Sequence, residues 1–316
     1  MRLLEKIGHL PVGVLATSVG LVTLSNIYLL LGFPILKHLA MMVAILVWLA
    51  ALLKITVHFR IFKSEYKQAV PASLYGTFSM LTMIIGSYLV NYEETIGKAF
   101  WYIGILLHLI HTVVFTYEHV VKGVNKDSFT PTWFVTYDGL LVSTVVGSAM
   151  GNQVLQEVIC WYGLVMFIII MPFMILRLLK RPIAEQLYHT TAILIAPGSL
   201  VIVSFLNVFA EPNPLILYGL YAVIFSSFIF ILYNIPKFFR FSFHPGFAGL
   251  TFPLAIGTVA STSFSNHLIN HELEGLGVLI KQLSGIELFL ATAVIAFVCY
   301  NFLRMLVRTY QSAQNV

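Results

Sequence analysis

The chain has 316 residues, of which 59% are hydrophobic and 10% are charged, and its mean hydropathy is +0.91. A water-soluble domain usually has about 25% charged residues and could not hide so much apolar surface, so we expect an all-α integral membrane protein. The net charge of +5 does not indicate a nucleic-acid partner, because Lys and Arg lie in short clusters between long apolar runs.

Ten segments are apolar over the roughly 20 residues that cross about 30 Å of hydrocarbon. We expect each to be helical, since lipid offers no partner to backbone N–H and C=O groups. The connections are short, which predicts one transmembrane domain over residues 1–316, with ten helices paired as five hairpins. The predicted spans are, in chain order, 10–29, 34–57, 72–90, 95–117, 130–150, 154–177, 189–209, 213–235, 246–266 and 283–306.

The distribution of basic residues predicts the orientation. If the N-terminus is cytoplasmic, all but three of the 18 Lys and Arg residues fall on the cytoplasmic side, and the exceptions are Lys37, Lys98 and Lys281. Positive charge concentrates on the cytoplasmic side of membrane proteins. We therefore expect a multi-pass protein of the cell (inner or plasma) membrane with both termini in the cytoplasm.

The odd-numbered segments are much richer in Gly, Ser and Thr than the even-numbered ones. Segment 9 has nine such residues, whereas segments 2 and 6 have one each. Small residues let helices approach closely, and hydroxyl groups suit a bundle interior or a wet cavity. The pattern predicts an inner ring of odd helices and an outer ring of even helices. Close packing without a passage explains the pattern equally well at this point.

Prolines favour a passage over simple packing. Pro11, Pro197 and Pro253 fall in segments 1, 7 and 9, and Pro71 and Pro131 lie at the entrances of segments 3 and 5. A proline inside a helix removes a backbone donor and bends the helix, and a water-lined cavity can satisfy the freed carbonyl. Kinks at corresponding points of several repeats indicate a central path.

Three motifs in the odd segments resemble those of a known family. Segment 1 contains Leu10-Pro11 followed by Gly13, segment 7 contains Ala-Pro-Gly-Ser at residues 196–199, and segment 9 contains Thr-Phe-Pro-Leu-Ala at residues 251–255. With the hairpin count, they make the chain similar to the TehA-like group of the tellurite-resistance/dicarboxylate transporter (TDT) family. This group includes bacterial TehA, the yeast malate permease and the plant guard-cell slow anion channel.

The resemblance implies a five-fold quasi-symmetric ring around a central pore, a homotrimer, and a gate formed by a phenylalanine of helix 9, which is Phe252 by motif. Relatives often have a second proline in helix 1 where this chain has Ser18, and the mid-helix prolines expected near Phe78 and Thr136 are missing. The residues expected to line the pore or to kink its helices are Pro11, Pro197, Pro253, Ser18, Ser79, Ser143, Ser199 and Thr258.

Asp138 is the acid that we expect deep inside a span, and the family does not predict it. A carboxylate there costs about 2.5–3.5 kcal/mol to insert, so it should face the interior, a partner or water. It is a candidate for proton coupling or selectivity, and the alternative is a hydrogen-bonded structural acid or an acid that lies nearer the membrane surface. His108 and His111 share a face of helix 4 without an evident third ligand, so we expect hydrogen bonds within the bundle or between subunits, and no metal or cofactor.

The sequence lacks a metalloprotease helix motif, a nucleophile elbow and a phosphate-binding loop, so we do not expect an enzyme. The preferred function is an anion channel for small inorganic or organic anions, gated by Phe252. The alternative is a proton-coupled secondary carrier for dicarboxylate, sulfite or tellurium oxyanions, which Asp138 would favour. A membrane scaffold or receptor without permeation is a third possibility, and it would have no lumen among the odd helices.

Overall fold

The computed structural model describes the backbone of residues 2–312 and the side chains of residues 5–308. Within that range the chain consists of α-helices, short 3-10 and π turns and connecting loops, with no strand. The all-α prediction is therefore confirmed. The α-helices are α1 (Arg2–Ile7), α2 (Gly13–Leu30), α3 (Pro34–Val57), α4 (Phe59–Tyr66), α5 (Ala69–Leu89), α6 (Glu94–Thr116), α7 (Trp133–Tyr137), α8 (Val142–Val145), α9 (Gln153–Lys180), α10 (Ile195–Val208), α11 (Pro214–Phe238), α12 (Thr251–Asn270) and α13 (Glu274–Ser312).

Short turns with specific caps join the two helices of a hairpin. Gly32, between α2 and α3, has a φ of 89°, which glycine adopts without steric cost. The Asn152 side chain accepts a hydrogen bond from the Leu155 N–H at 3.2 Å at the start of α9. Asn213 accepts one from Leu215 at 2.9 Å at the start of α11. These side chains replace the helical acceptors that the first turn lacks.

The odd segments are buried and the even ones face outward. In the most apolar 18-residue window, 72% of the residues are buried in α2, 78% in α5, and 83% in each of the segments that contain α10 and α12. The corresponding fraction is 28% in α3, 33% in α6, α11 and α13, and 44% in α9. The predicted division into inner odd and outer even segments is confirmed, and the outer helices direct bulky apolar side chains toward lipid.

The five inner segments close a ring. Helix α2 packs against α5 on one side and α12 on the other, α5 packs against α7 and α8, α8 packs against α10, and α10 packs against α12. Every inner segment thus has two inner neighbours, and an axis runs between them.

Segment 5 differs from the expectation of a continuous helix. Nine helices among residues 2–312 are long and apolar enough to span a membrane, and the fifth predicted segment is not one of them. It consists of α7, a 3-10 turn over Gly139–Leu141, and α8. Asp138 lies at the junction between α7 and this turn.

Side chains of α6 explain the break. The Thr136 carbonyl accepts hydrogen bonds from His108 Nε2 at 3.0 Å and from Thr112 Oγ1 at 3.1 Å. A Cβ on Gly139 would lie 2.7 Å from Cε1 of His108, so only glycine allows this approach. The α6 side chains take over an acceptor that a continuous helix would use, and the helix is interrupted where they do so.

The prolines of the inner segments stand at helix entrances. Segments 7 and 9 begin as 3-10 helices and change to α-helix at Ile195 and Thr251, so Pro197 and Pro253 are the third residues of α10 and α12. Pro11 lies in non-helical backbone two residues before α2. Proline fits a first helical turn because its missing N–H would have no helical partner there. Pro11 therefore does not kink a helix, and Pro197 and Pro253 mark a change of helix type.

Candidate functional site

Three cavities lie in series along the ring axis, and all five inner segments contribute to the wall of each. We call the end that carries the amino termini of the inner segments the basic end and the opposite one the acidic end. The basic-end vestibule has a volume of about 310 Å³, the middle chamber about 20 Å³, and the acidic-end vestibule about 400 Å³. The axis is thus wide at both ends and narrow between them.

The middle chamber is small and apolar. A volume of about 20 Å³ holds about one water molecule, since a water needs at least about 10–15 Å³. Among the described residues that line it, Thr77 supplies the single side-chain hydroxyl, which is already bonded to the Leu74 carbonyl at 2.6 Å. The walls are Ala16, Leu74, Thr77, Met80, Phe134, Val135, Gly139, Ile193, Ala196, Pro197, Leu200, Ala248, Gly249, Phe252 and Pro253. A hydrated ion cannot fit in this space.

Phe252 lies between the middle chamber and the acidic-end vestibule. Its side chain is 7% exposed and lines both cavities, as does Leu200 of α10. Gly20 of α2 fixes the backbone at this point, because a Cβ on Gly20 would lie 2.6 Å from the Phe252 nitrogen. The phenyl ring and the leucine thus form a narrowing whose backbone is held by close helix packing.

A second narrowing separates the middle chamber from the basic-end vestibule. Leu74 of α5, Ile193 of segment 7 and Gly249 of segment 9 line both cavities. Ile193 is 3% exposed. The middle chamber is therefore enclosed by apolar side chains at both ends.

One positive charge lines the acidic-end vestibule. Lys37, at the start of α3, is the charged residue among those that surround this cavity in the described chain. Its ammonium group donates a hydrogen bond to the neutral amide oxygen of Asn26 and forms no ion pair with a carboxylate of the described residues. Asn207 also lines this cavity, and its Nδ2 donates to the Val145 carbonyl at 3.0 Å.

The basic-end vestibule carries a neutralised acid. Glu65 of α4 is the charged residue among its described walls, and both carboxylate oxygens accept from Lys54 Nζ at 2.8 Å. Lys54 is buried and also donates to the Leu10 carbonyl at 2.7 Å. The Tyr75 hydroxyl donates to Glu65 at 2.5 Å. Because of these bonds, Glu65 presents little net charge to the axis.

The predicted polar lining differs from the observed one. None of the five predicted hydroxyl residues is among the residues that surround the three axial cavities. Four bond to a carbonyl of their own helical turn at 2.7–3.0 Å and pack between helices: Ser18, Ser143, Ser199 and Thr258. Ser79 bonds to Gly76 and His108 and lines a lateral groove instead. For these residues, the close-packing interpretation holds.

The predicted prolines do reach the axis. Pro11 lines the basic-end vestibule, and Pro197 and Pro253 line the middle chamber. Phe252, Pro197 and Pro253 therefore meet at one level, with Pro11 one cavity away.

Two buried carboxyl groups lie off the axis. Asp138 is 0% exposed and Glu287 of α13 is 2% exposed, and neither is among the residues that line the axial cavities. Neither Asp138 oxygen has a hydrogen-bond partner among the described residues. Glu287 falls inside the predicted span 283–306, and no pattern in the sequence singles it out. Asp138 is therefore one of two acids buried among the described residues.

The two histidines of α6 are part of the internal hydrogen-bond network. His108 bonds to Ser79 Oγ at 2.7 Å, and His111 bonds to the Tyr66 hydroxyl at 2.8 Å and to Thr136 Oγ1 at 3.3 Å. The predicted hydrogen bonding within the bundle is confirmed. The described residues contain no group of three or more His, Cys, Asp or Glu that could hold a metal ion.

Lys37 and Leu200 are the site residues that the sequence did not single out. Lys37 stood out only as one of three basic residues on the acidic side, and that count gives no hint that it lines a cavity. Leu200 looks like any other leucine of an apolar helix. Its position opposite Phe252 depends on the packing of α10 against α12.

Comparison with known proteins agrees with this arrangement. No curated protein matches the chain significantly. The sequence profile of a family described as Voltage-dependent anion channel matches residues 9–306, nearly the whole chain. This family belongs to the tellurite-resistance/dicarboxylate transporter group, whose members are channels or transporters. The chain is a multi-pass membrane protein that belongs to the SLAC1 family of voltage-dependent anion channels.

Proposed function

We propose that this protein is a channel that conducts small anions along the ring axis. The observation that carries the proposal is the series of three cavities walled by all five inner segments, with an apolar narrowing at Phe252 between them. A scaffold without permeation would not need such a lumen. A channel needs wide, wet ends and a short constriction that controls flow.

The gate in this proposal is the Phe252 side chain. A middle chamber for about one water excludes a hydrated ion, and an apolar constriction of this size gates by dewetting. Rotation of the phenyl ring away from Leu200 would join the chamber to the acidic-end vestibule and remove one of the two barriers in this proposal, which leaves the narrowing at Leu74, Ile193 and Gly249 as the remaining one. The motif position that the family resemblance assigns to a gate coincides with this side chain.

Selectivity for anions would come from the unequal charges of the two vestibules. Lys37 presents a positive charge that no carboxylate offsets, and Glu65 is neutralised by Lys54 at 2.8 Å. An anion on the axis therefore meets attraction at one end and little repulsion at the other. The lack of a rigid polar binding site in the middle chamber favours small anions that shed water easily.

Orientation and assembly complete the proposal. The basic end would face the cytoplasm of a cell membrane, since positive loop charge concentrates there. The chain would form a homotrimer, as the family resemblance implies. Protease protection of tags at the two termini in sealed vesicles tests the first statement, and native mass spectrometry tests the second.

A proton-coupled carrier for dicarboxylate, sulfite or tellurium oxyanions is the alternative. The observation in its favour is that Asp138 and Glu287 are both buried, and that neither Asp138 oxygen has a hydrogen-bond partner among the described residues. Such acids in membrane segments often serve proton transfer. Their position off the axial cavities is the reason that we prefer the channel.

Flux into liposomes distinguishes the two mechanisms. The purified protein should carry chloride or nitrate down its gradient at a rate that does not saturate and does not depend on a pH gradient. Asp138→Asn should leave this flux unchanged. Glu287→Gln, which removes the charge of the second buried acid, should also leave it unchanged. Saturable uptake that requires a proton gradient and is lost in Asp138→Asn would establish the carrier instead.

A further inference from the structure

A lateral groove lies outside the axial path. It has a volume of about 710 Å³ and is located between the outer helices α3 and α6, with the inner helix α5 as its floor. Helix α4 and a π turn over Tyr117–Val121 close it at the basic end. Its walls are Ile55, Phe59, Phe62, Lys63, Tyr66, Lys67, Tyr75, Phe78, Ser79, Leu107, Ile110, His111, Val114, Glu118 and Lys122.

The body of the groove is apolar and open to the membrane. Ile110 is 51% exposed and Val114 is 42% exposed, both on the outer face of α6. Deeper in the bundle, Trp48 of α3 stacks on Phe78, with ring centroids 5.4 Å apart, and lies 5.9 Å from the Phe100 ring. This aromatic cluster packs α3 against α6. It closes the end of the groove that lies away from the lysines, so the groove is a pocket.

The mouth of the groove is positively charged. Lys63, Lys67, Lys122 and Glu118 line it, which gives a net charge of +2. Glu118 pairs with Lys122 at 2.6 Å, and this hydrogen bond raises the pKa of Lys122, which therefore stays protonated. Lys63 and Lys67 are exposed and form no ion pair with a described residue. An anionic group at the end of the apolar pocket thus meets two lysines without an ion pair and, at the same mouth, the protonated Lys122.

A second lipid-facing groove lacks this charge. The groove between α9 and α11 has a volume of about 350 Å³ and is lined by Met171, Ile175, Leu194, Ala222, Val223, Ser226, Ser227 and Phe230. None of these residues is charged. A gap between outer helices therefore does not always contain lysines. The α3–α6 groove differs from this second groove because it has both an apolar body and a basic mouth.

We propose that the α3–α6 groove binds one anionic phospholipid, with an acyl chain along α3 and α6 and the headgroup on Lys63, Lys67 and Lys122. Basic residues at the membrane surface attract anionic headgroups, and buried methylene groups contribute apolar binding energy. A soluble anion would gain nothing from the apolar body. A zwitterionic lipid would gain little from the mouth.

The groove is connected to the axial path by one short network. Tyr75 lines the groove and donates to Glu65 at 2.5 Å, and Glu65 lines the basic-end vestibule. Tyr66, also in the groove, bonds to His111 at 2.8 Å. Only the Tyr75 side chain separates a lipid in the groove from Glu65, which lines the vestibule. The groove is therefore placed to make the pathway sensitive to the lipid around it.

Lipid binding to the purified full-length protein tests the proposal without reference to conduction. Native mass spectrometry would measure affinity for phosphatidylglycerol and phosphatidylcholine. Each basic residue near a headgroup contributes about 1 kcal/mol, so the triple variant Lys63→Gln, Lys67→Gln, Lys122→Gln should bind phosphatidylglycerol at least about tenfold more weakly. Its affinity for phosphatidylcholine should not change.

A matched control removes the same charge elsewhere at the basic end. The triple variant Lys126→Gln, Lys180→Gln, Arg304→Gln should keep the wild-type affinity for phosphatidylglycerol. An equal loss in this control, or no loss in the groove variant, would overturn the proposal.

A bulky residue in the apolar body provides a second test. Ile110→Trp should reduce phosphatidylglycerol binding, and Ser227→Trp in the uncharged groove should not. If Ile110→Trp instead dissociates an oligomer and leaves the bound lipid in place, the groove is a contact between copies of the chain and the proposal is wrong.

Discussion

The lining charge of each vestibule differs from the charge of the loops around it. The basic end collects most of the Lys and Arg residues, yet its vestibule is lined by Glu65, which Lys54 neutralises at 2.8 Å. The acidic end has few basic residues, yet its vestibule is lined by Lys37. Loop charge follows the rules of membrane insertion, and the charge of a pathway follows which side chains reach the axis. The first therefore does not predict the second.

Among the variants that test this difference between the vestibules, we expect the largest effect on ion selectivity from a charge reversal at Lys37. Lys37→Glu places a carboxylate in the acidic-end vestibule. A unit charge about 8 Å from a passing ion contributes about 2 kcal/mol at an effective dielectric constant of 20. We expect the anion-to-cation permeability ratio, measured from reversal potentials, to fall at least about tenfold, since 1.4 kcal/mol is a factor of ten.

Lys98→Glu is the matched control for that reversal. Lys98 is also at the acidic end, but it pairs with Glu94 on the exterior of α6 and does not line the vestibule. The anion-to-cation permeability ratio of the Lys98→Glu variant should stay close to the wild-type value. An equal change in both variants would mean that loop charge, and not the vestibule lining, sets selectivity.

The next largest effect concerns the opposite vestibule. Lys54→Gln leaves the Glu65 carboxylate without its ion-pair partner. Because that carboxylate is 29% exposed and partly solvated, the cost should be below the roughly 3–5 kcal/mol of breaking a fully buried pair. We expect a lower thermal midpoint and a reduced anion current, because an uncompensated negative charge then faces the axis.

The double variant Lys54→Gln, Glu65→Gln separates these two causes. With both charges removed, the anion current should return toward the wild-type value even if stability does not recover completely. If the current stays as low as in Lys54→Gln, then Glu65 does not affect ions on the axis.

The smallest effect is expected at Gly20. In Gly20→Ala the new Cβ would lie 2.6 Å from the Phe252 nitrogen and 2.8 Å from the Thr251 carbonyl carbon, so α2 and α12 must move apart. Overpacking of this kind costs about 1–3 kcal/mol. The thermal midpoint should fall and the current should change modestly. Gly219→Ala is the control, because its Cβ would meet no described atom within 4 Å on exposed α11; it should not lower the thermal midpoint and should leave the current unchanged.

Much of the fold could be predicted because it follows from composition. Bulky side chains in the even segments and small ones in the odd segments indicated which helices face lipid, and the burial of α2 and α3, 72% against 28%, agrees. The interruption of segment 5 could not be predicted from its own residues. It depends on His108 and Thr112 of α6, which donate hydrogen bonds to the Thr136 carbonyl in place of a backbone N–H of its own helix.

The site was predicted less completely, for two physical reasons. A buried hydroxyl can bond to a carbonyl one turn earlier in its own helix, as Thr258 does with Leu254 at 2.8 Å, so hydroxyl content does not identify a wet surface. The face that an inner helix directs to the axis also depends on packing with two neighbours. The motif placed Phe252 near the axis, but no motif pointed to Lys37 or Leu200.

The most direct test of the central claim is single-channel recording of Phe252→Ala in a planar lipid bilayer with chloride on both sides. Loss of the phenyl ring should join the middle chamber to the acidic-end vestibule and raise the mean chloride current at least about tenfold, which corresponds to a barrier lower by 1.4 kcal/mol. Phe264→Ala makes the same truncation on α12 beside Tyr221, away from the axial cavities, and should leave the current unchanged. A well-folded Phe252→Ala protein with the wild-type current would contradict the proposed gate.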